Sequence, residues 1–126
     1  MAYPNRIGKT IVALSSTLTT NILNCAITST AGSVGMGTIP QPYIIINRIR
    51  IVNKHASIAA TFNLYIGATG ANAAGTEFLG FTTPVAVGSY FEAFPKVRME
   101  STDFLVGGSN TATALTIEID WEIGIS

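Results

Sequence analysis

Three acidic residues stand at two-residue intervals near the C-terminus, and acids at such a spacing can do chemistry. On a β-strand, Glu118, Asp120 and Glu122 would project from one face at intervals of roughly 6.6 Å. Two carboxyl groups about this far apart cleave glycosidic bonds in many enzymes, and a carboxylate cluster can also bind calcium. A catalytic acid, however, needs burial or a close like charge to raise its pKa, and a facing row of cations would act against that.

A basic pair elsewhere in the chain could supply such cations. Arg48 and Arg50 also lie two residues apart in an alternating segment, so they share one face of a predicted strand. We therefore predict that Glu118, Asp120 and Glu122 pair with these arginines, either between strands of one chain or between subunits. A solvated strand face is the first alternative, and a metal or catalytic site is the second.

No other group of residues points to catalysis, a cofactor or a metal ion. His55 is the only histidine and lies in a polar turn with no nucleophile beside it, although spacing alone leaves a Ser-His-Asp triad open. Cys25 is the only cysteine, so neither an intrachain disulfide nor a cysteine metal site can form. The stretch from Gly67 to Gly70 lacks the lysine and the following helix of a phosphate-binding loop. We predict no catalytic residues, no cofactor and no metal.

Composition restricts the class of protein. Seven Lys and Arg balance seven Asp and Glu, and charged residues make up 11% of the 126, against roughly 25% in an average domain. Zero net charge argues against nucleic-acid binding, and an apolar fraction of 48% excludes a disordered chain. No apolar run approaches the roughly 20 residues of a membrane-spanning helix, and the N-terminus does not resemble a secretory signal. A neutral surface with few charges is poorly protected against association, so we expect attachment to further copies of the chain.

Alternation with a period of two residues predicts strands along most of the chain. From Leu115 to Ile125 apolar residues alternate with polar ones, which predicts a strand with Trp121 on its buried face. A second alternating segment, Ile44 to Asn53, is separated by a short polar stretch from a third, Ala60 to Ile66, and the two are predicted to form an antiparallel hairpin. In the second segment, strict alternation puts one set of residues, Ile45, Asn47, Ile49 and Ile51, on one face and another set, Ile46, Arg48, Arg50 and Val52, on the other.

Shorter strands complete the predicted fold. Turn residues separate them, and loops are predicted at 67–75 and, as the longest stretch without a pattern, at 26–42. Short strands so spaced indicate an all-β, single-domain protein, a two-sheet antiparallel sandwich or jelly roll of residues 10–126 that follows an N-terminal arm of residues 1–9. The strand candidates are Thr10 to Leu14, Leu18 to Cys25, Phe78 to Phe81, Tyr90 to Phe94, Val97 to Glu100 and Phe104 to Val106.

Two segments and two tyrosines are candidates for contacts with other molecules. The N-terminal arm could add a strand to a neighbouring subunit through main-chain hydrogen bonds, and the 26–42 loop is the other candidate contact. Tyr65 is predicted to point away from Leu64 and Ile66, hence outward, and with Tyr90 it could bind a glycan, although tyrosine is common in strands without any sugar. The residues that the arm offers to a partner are Tyr3, Pro4 and Arg6.

The centre of the chain resembles small all-β virion proteins of tailed bacteriophages. In that family a strand ending in Arg-(Ile/Val)-x-Asn is followed by a strand ending in Leu-Tyr-(Ile/Val)-Gly. The corresponding stretches here are Ile49-Arg-Ile-Val-Asn53 and Ala60-Thr-Phe-Asn-Leu-Tyr-Ile-Gly67. The Ala/Gly/Thr-rich loop that follows, Gly88-Ser-Tyr90, the segment from Ser101 to Gly108 and the alternating last strand also agree, so that the resemblance covers residues 44–125.

This resemblance implies a non-enzymatic structural protein of the virion, assembled in the cytoplasm of the host cell. A capsid decoration or cement protein is expected, which forms a homo-oligomer, often a trimer, and clamps the major capsid protein or another virion protein. The alternatives are a head–tail connector or tail protein and a glycan-binding β-sandwich module. No nucleic acid or membrane is expected as a partner. The candidate contacts with subunits or capsid are Tyr3, Pro4, Arg6, Arg48, Arg50, Glu118, Asp120 and Glu122.

Overall fold

The computed structural model describes residues 6–24, 42–67, 75–100 and 102–125, and these residues form two antiparallel β-sheets that enclose one apolar core. No helix occurs among them. The predicted all-β, two-sheet sandwich is thereby confirmed. The nine strands are β1 (Arg6–Ala13), β2 (Asn21–Asn24), β3 (Pro42–Asn53), β4 (Ala60–Gly67), β5 (Thr83–Val85), β6 (Tyr90–Ala93), β7 (Val97–Met99), β8 (Phe104–Ser109) and β9 (Leu115–Ile125).

The first and last strands are neighbours in the larger sheet. Sheet A has the order β1-β9-β3-β6, with β7 also paired to β3, and sheet B has the order β2-β8-β4-β5. β1 pairs with β9 from Arg6 opposite Ile123 to Ala13 opposite Thr116 without a shift in register. Residues 6–9, which the sequence places in an N-terminal arm, therefore lie in β1.

β9 has the bounds and the two faces that alternation predicts. Its apolar side chains face the core, and its acidic side chains lie half-buried on the opposite face. Trp121 is buried, as predicted, and its indole N–H donates a hydrogen bond to the Thr10 hydroxyl at 3.0 Å. That bond joins the core directly to β1.

β3 contains a β-bulge that strict alternation conceals. Trp121 pairs with Ile46 and the preceding residue, Asp120, pairs with Arg48, so Asn47 has no partner of its own in β9. The predicted grouping of Ile46 with the arginines was wrong, because the extra residue shifts the alternation by one position. Because of the bulge, four isoleucines of β3 are fully buried in the core. They are Ile44, Ile46, Ile49 and Ile51.

The predicted hairpin between β3 and β4 was also wrong. β3 belongs to sheet A and β4 to sheet B, so the connection at 54–59 crosses from one sheet to the other. The apolar faces of the two strands meet across the core, which buries both faces more completely than a two-stranded hairpin could. Asn53 stabilises this crossing, because its buried amide donates to the Ile58 and Val85 carbonyls at 3.0 and 2.9 Å and accepts the His55 N–H at 2.8 Å.

The shorter strands agree with the prediction except between β4 and β6. The strand predicted at 78–81 was wrong, because Leu79 has a φ of 64° and the strand in this region, β5, begins at Thr83. Two residues of the segment still bond to β4: Phe78 N–H donates to the Leu64 carbonyl at 2.7 Å, and the Gly80 carbonyl accepts from Leu64 N–H at 2.9 Å. The strands predicted around 10–14, 18–25, 90–94, 97–100 and 104–106 correspond to β1, β2, β6, β7 and β8.

Candidate functional site: the outer face of sheet A

Charge is distributed very unequally between the two sheets. The strands of sheet A contain nine of the chain's fourteen charged residues, and the strands of sheet B contain none. Directly paired residues of antiparallel strands share a face, so the register collects these side chains in rows. We call the face of sheet A that points away from the core the outer face of sheet A. The register places eight of the nine on this face, and the ninth, Arg6, pairs with the core residue Ile123. The nine residues are Arg6, Lys9, Arg48, Arg50, Glu92, Arg98, Glu118, Asp120 and Glu122.

Arg48 is the centre of the network on the outer face of sheet A. Its Nε donates to Asp120 Oδ2 at 2.9 Å, its Nη1 donates to Glu92 Oε2 at 3.1 Å, and its Nη2 donates to Glu118 Oε1. Its side chain is only 19% exposed. The hydrogen bond to Asp120, followed by the one to Glu92, raises the pKa of Arg48 still further above its usual range. One permanent cation thus joins β3, β6 and β9.

Lys9 completes the network from the side of β1. Its Nζ lies 3.9 Å from Glu118 Oε1 and 4.0 Å from Asp120 Oδ1. Both acids therefore lie between Arg48 on β3 and Lys9 on β1. Of the two kinds of pairing that the sequence leaves open, the structure shows pairing within one chain.

The other predicted contact residues have different surroundings. Arg50 lies opposite Glu118 in the register, but its guanidinium lies over the Tyr90 ring, 4.5 Å from the centroid. Glu122 lies in a row with Ile7 and Ile45 and forms no ion pair with any side chain that the structure describes. Whether these residues contact a subunit or a capsid stays a prediction.

This arrangement is one of fixed ion pairing between β1, β3, β6 and β9. Arg48 and Lys9 contact the carboxylates of Glu118 and Asp120 and hold them in place. Within the described ranges, no group of three or more His, Cys, Asp or Glu side chains is placed to hold a metal ion, and no pocket is present. None of the described elements is a helix long and apolar enough to span a membrane.

An apolar border runs beside the charged network along β1. Ile7 is 84% exposed, Ile11 is 59% exposed and Val12 is 40% exposed. Ile7 and Ile11 flank Lys9 on the outer face of sheet A, whereas Val12 lies on the side of the core because it pairs with Ile117. The outer face of sheet A therefore combines neutralised charge with uncovered isoleucine.

The tyrosines of the predicted glycan site do not share one surface. Tyr65 points away from the core, but it is only 4% exposed, so its predicted surface position was wrong. Its hydroxyl accepts a hydrogen bond from the Asn63 amide at 3.0 Å. Tyr90 is 54% exposed and lies above Arg50.

His55 has a structural role in the crossing between the sheets. Its Nδ1 accepts hydrogen bonds from the N–H groups of Ser57 and Ile58, each at 3.1 Å, so the ring is bonded to the backbone of its own turn. The histidine fixes the turn that follows Asn53. Nothing in this geometry assigns it a nucleophile.

Several predicted features lie outside the described residues. These are Tyr3, Pro4, Cys25, most of the 26–42 loop, and most of the 67–75 loop. Arg6 is the first residue of β1, opposite Ile123. Sequence reasoning missed Lys9 and Glu92 as members of the network. The alternation of Tyr90 and Glu92 with Phe91 and Ala93 could have placed Glu92 on a polar face.

No protein-family model matches the chain, and no curated protein is significantly similar to it in sequence. The fold and the site together define a two-sheet β-sandwich with an ion-paired outer face.

Proposed function

We propose that this chain is a non-enzymatic structural subunit of a bacteriophage particle, a capsid decoration or cement protein that self-associates and clamps capsid subunits. The observation that carries the proposal is the outer face of sheet A, where a neutralised charge network adjoins exposed apolar residues of β1. The two stretches that resemble phage virion proteins form the end of β3 and the whole of β4. They therefore belong to the framework of the sandwich.

The charge network supports a role in packing against protein. Carboxylates that already contact Arg48 and Lys9 carry little unpaired charge into a contact, so covering them requires less desolvation than covering isolated ions. Exposed apolar residues such as Ile7 and Ile11 gain from burial at roughly 25 cal/mol per Å². A face of this kind favours a broad protein contact over the binding of a charged small molecule.

The copy number of the chain in purified virions tests the proposal. Quantitative mass spectrometry of particles from the phage that encodes the chain should find several hundred copies if the chain decorates the shell, whereas about a dozen would indicate a connector or tail ring. Complete absence from the particle would overturn the virion proposal. Purified chain should also bind assembled shells but not isolated shell subunits.

A glycan-binding module is the second candidate, because Tyr90 presents an exposed ring above Arg50. Binding to a glycan array that is lost in Tyr90→Ala would favour this candidate. Tyr65→Ala is not a suitable probe, since the buried Tyr65 ring contributes to packing. An enzyme that acts through Glu118 would instead lose turnover in Glu118→Gln with unchanged stability.

A further inference from the structure

β1 forms an edge of sheet A that lacks the usual protection. Its eight residues contain no proline and no bulge, and among the described residues no strand pairs with its far side. Natural edge strands are commonly shielded by lysines, prolines or bulges. The one central lysine, Lys9, extends toward Glu118 and Asp120 over the sheet, so its ammonium group is engaged there.

The hydrogen-bond pattern shows which residues of β1 face the free edge. Leu14 N–H donates to the Leu115 carbonyl at 2.8 Å, so Leu14 faces β9. Lys54 N–H donates to the Ala114 carbonyl at 3.0 Å. The backbone N–H and C=O groups of the even-numbered residues of β9 therefore point toward β3, and those of the odd-numbered residues point toward β1. Because a strand alternates its hydrogen-bonding sides, the N–H and C=O groups that point to the free edge belong to Ile7, Lys9, Ile11 and Ala13.

We propose that β1 pairs antiparallel with β1 of a second copy of this chain, about a two-fold axis at Thr10. The pairing would join two five-stranded sheets A into one continuous sheet. The inference rests on the self-association in the proposed function and specifies the surface and the register by which it occurs.

Charge selects this register. Only residues that face the free edge can exchange hydrogen bonds, so odd-numbered residues must pair with odd-numbered ones. The two such registers nearest to full overlap have their axis at Lys9 or at Thr10. An axis at Lys9 makes the two lysines a directly opposed like-charge pair, which is destabilising and would compete with their contacts to Glu118 and Asp120. An axis at Thr10 sets Lys9 opposite the partner's Ile11, and all four edge-facing residues of each strand form hydrogen bonds.

Side-chain shape on the core side of β1 favours the same register. An axis at Thr10 places Gly8 opposite the partner's Val12. A Cβ atom at Gly8 would lie 2.4 Å from the Trp121 indole, so this position has no room for a side chain of its own. The indole covers Gly8, so the partner's Val12 would pack against the indole and not against a side chain at position 8; Val12 of a single chain is 40% exposed. The β-branched Thr10 pair at the axis is also a favourable cross-strand pair.

The other described sheet edges fit β1 less well than a second β1 does. β6 and β7 have four and three residues, and Lys96 between them has a φ of 51°. β5 has three residues, including Pro84, and β2 has four with a shift in register. An isologous β1 contact closes after two copies, so it predicts a dimer, or an assembly built from dimers, and does not by itself produce the trimer that the resemblance implies.

Disulfide cross-linking tests the register. In a Cys25→Ser background, Thr10→Cys would place two cysteines in a non-hydrogen-bonded pair with Cα atoms about 4.5 Å apart, within the range for a disulfide. Mild oxidation should convert most of the chain to a covalent dimer on a non-reducing gel. In the matched variant Lys9→Cys, each cysteine would lie opposite residue 11 of the second copy and not opposite the other cysteine, so this variant should cross-link far less. Dominant cross-linking of Lys9→Cys would overturn the register, and cross-linking of neither would overturn the pairing.

A proline variant tests the pairing without relying on cysteine chemistry. Ile11→Pro removes an N–H that faces the free edge and leaves the hydrogen bonds to β9 intact. We expect the dissociation constant of the dimer, measured by analytical ultracentrifugation, to rise about tenfold or more, while the matched variant Ile11→Val stays near wild type. Equal dimerisation of Ile11→Pro and wild type, with native Trp121 fluorescence in both, would overturn the inference. Both measurements use purified chain, so their outcome is independent of whether virions contain it.

Discussion

At the scale of single residues, Arg48 is the side chain on which the outer face of sheet A depends most. Its guanidinium contacts carboxylates on two neighbouring strands and is only 19% exposed. Removal of a largely buried ion-pair partner leaves carboxylates without compensation, and this costs more than the pair contributes when it is intact. Arg98 offers a direct contrast, because it pairs with the exposed Glu100 at 2.5 Å and is itself 48% exposed.

We predict that Arg48→Met lowers the free energy of unfolding by about 2–3 kcal/mol, because Glu118 and Asp120 would lose their main cation. Urea unfolding followed by Trp121 fluorescence measures the change. The control Arg98→Met should lower the free energy of unfolding far less, since exposed ion pairs contribute little. Equal losses in the two variants would contradict the central role of Arg48.

At the scale of elements, the bulge in β3 allows the isoleucines before and after it to face the same core. Ile44 and Ile46 must face the core on one side of Asn47, and Ile49 and Ile51 must do so on the other. The extra residue is absorbed at Asn47, whose amide oxygen accepts from the exposed Lys96 ammonium at 3.2 Å. The bulge therefore affects local twist more than the identity of the core.

We predict that deletion of Asn47 is tolerated, with a free energy of unfolding within about 1 kcal/mol of wild type, because the shortened strand alternates without interruption. Deletion of Arg50 from the same strand should instead prevent folding, since it moves one set of isoleucines from the core to the surface. Circular dichroism and urea unfolding distinguish the two. A deletion of Asn47 that unfolds the protein would show that the bulge itself is required.

The sequence predicts single strands better than it predicts which strands are neighbours. β9 is correct to the residue, because eleven alternating positions leave one consistent pair of faces. The hairpin of β3 and β4 was wrong because a short polar connection fits a turn within one sheet as well as a crossing between two, and only the distant partners β8 and β9 decide between them. The pairing of Arg48 with Glu118 and Asp120 followed from charge and spacing, whereas Lys9 joins the network only through the β1–β9 register.

At the scale of the whole molecule, sheet A cannot be completed until the two ends of the described chain meet. Among the strands that the structure describes, β1 pairs with β9 alone, and the indole of Trp121 bonds to Thr10 across that pair. Trp121 is the only tryptophan, so its fluorescence reports directly on this step. Contacts between residues so far apart in sequence form slowly, because loop closure must precede them.

We predict that refolding after dilution from urea, followed by Trp121 fluorescence, takes milliseconds to seconds, as in other sandwiches dominated by non-local pairing. Far-ultraviolet circular dichroism should report the same rate if folding is two-state. A separate phase of tens of seconds that a prolyl isomerase accelerates would belong to proline and not to sheet closure. Complete recovery of fluorescence within microseconds would contradict this prediction.

The antiparallel pairing of β1 and β9 also has a mechanical consequence. Arg6 and Ile123 face each other at one corner of sheet A, so a force that draws these two residues apart acts along the ladder hydrogen bonds, which lie perpendicular to the strands. The bonds would then break one after another, so the pair of strands would resist tension between Arg6 and Ile123 only weakly. A load spread over the outer face of sheet A would instead press the two sheets together. The described sandwich is therefore better suited to bear compression across its faces than tension between Arg6 and Ile123.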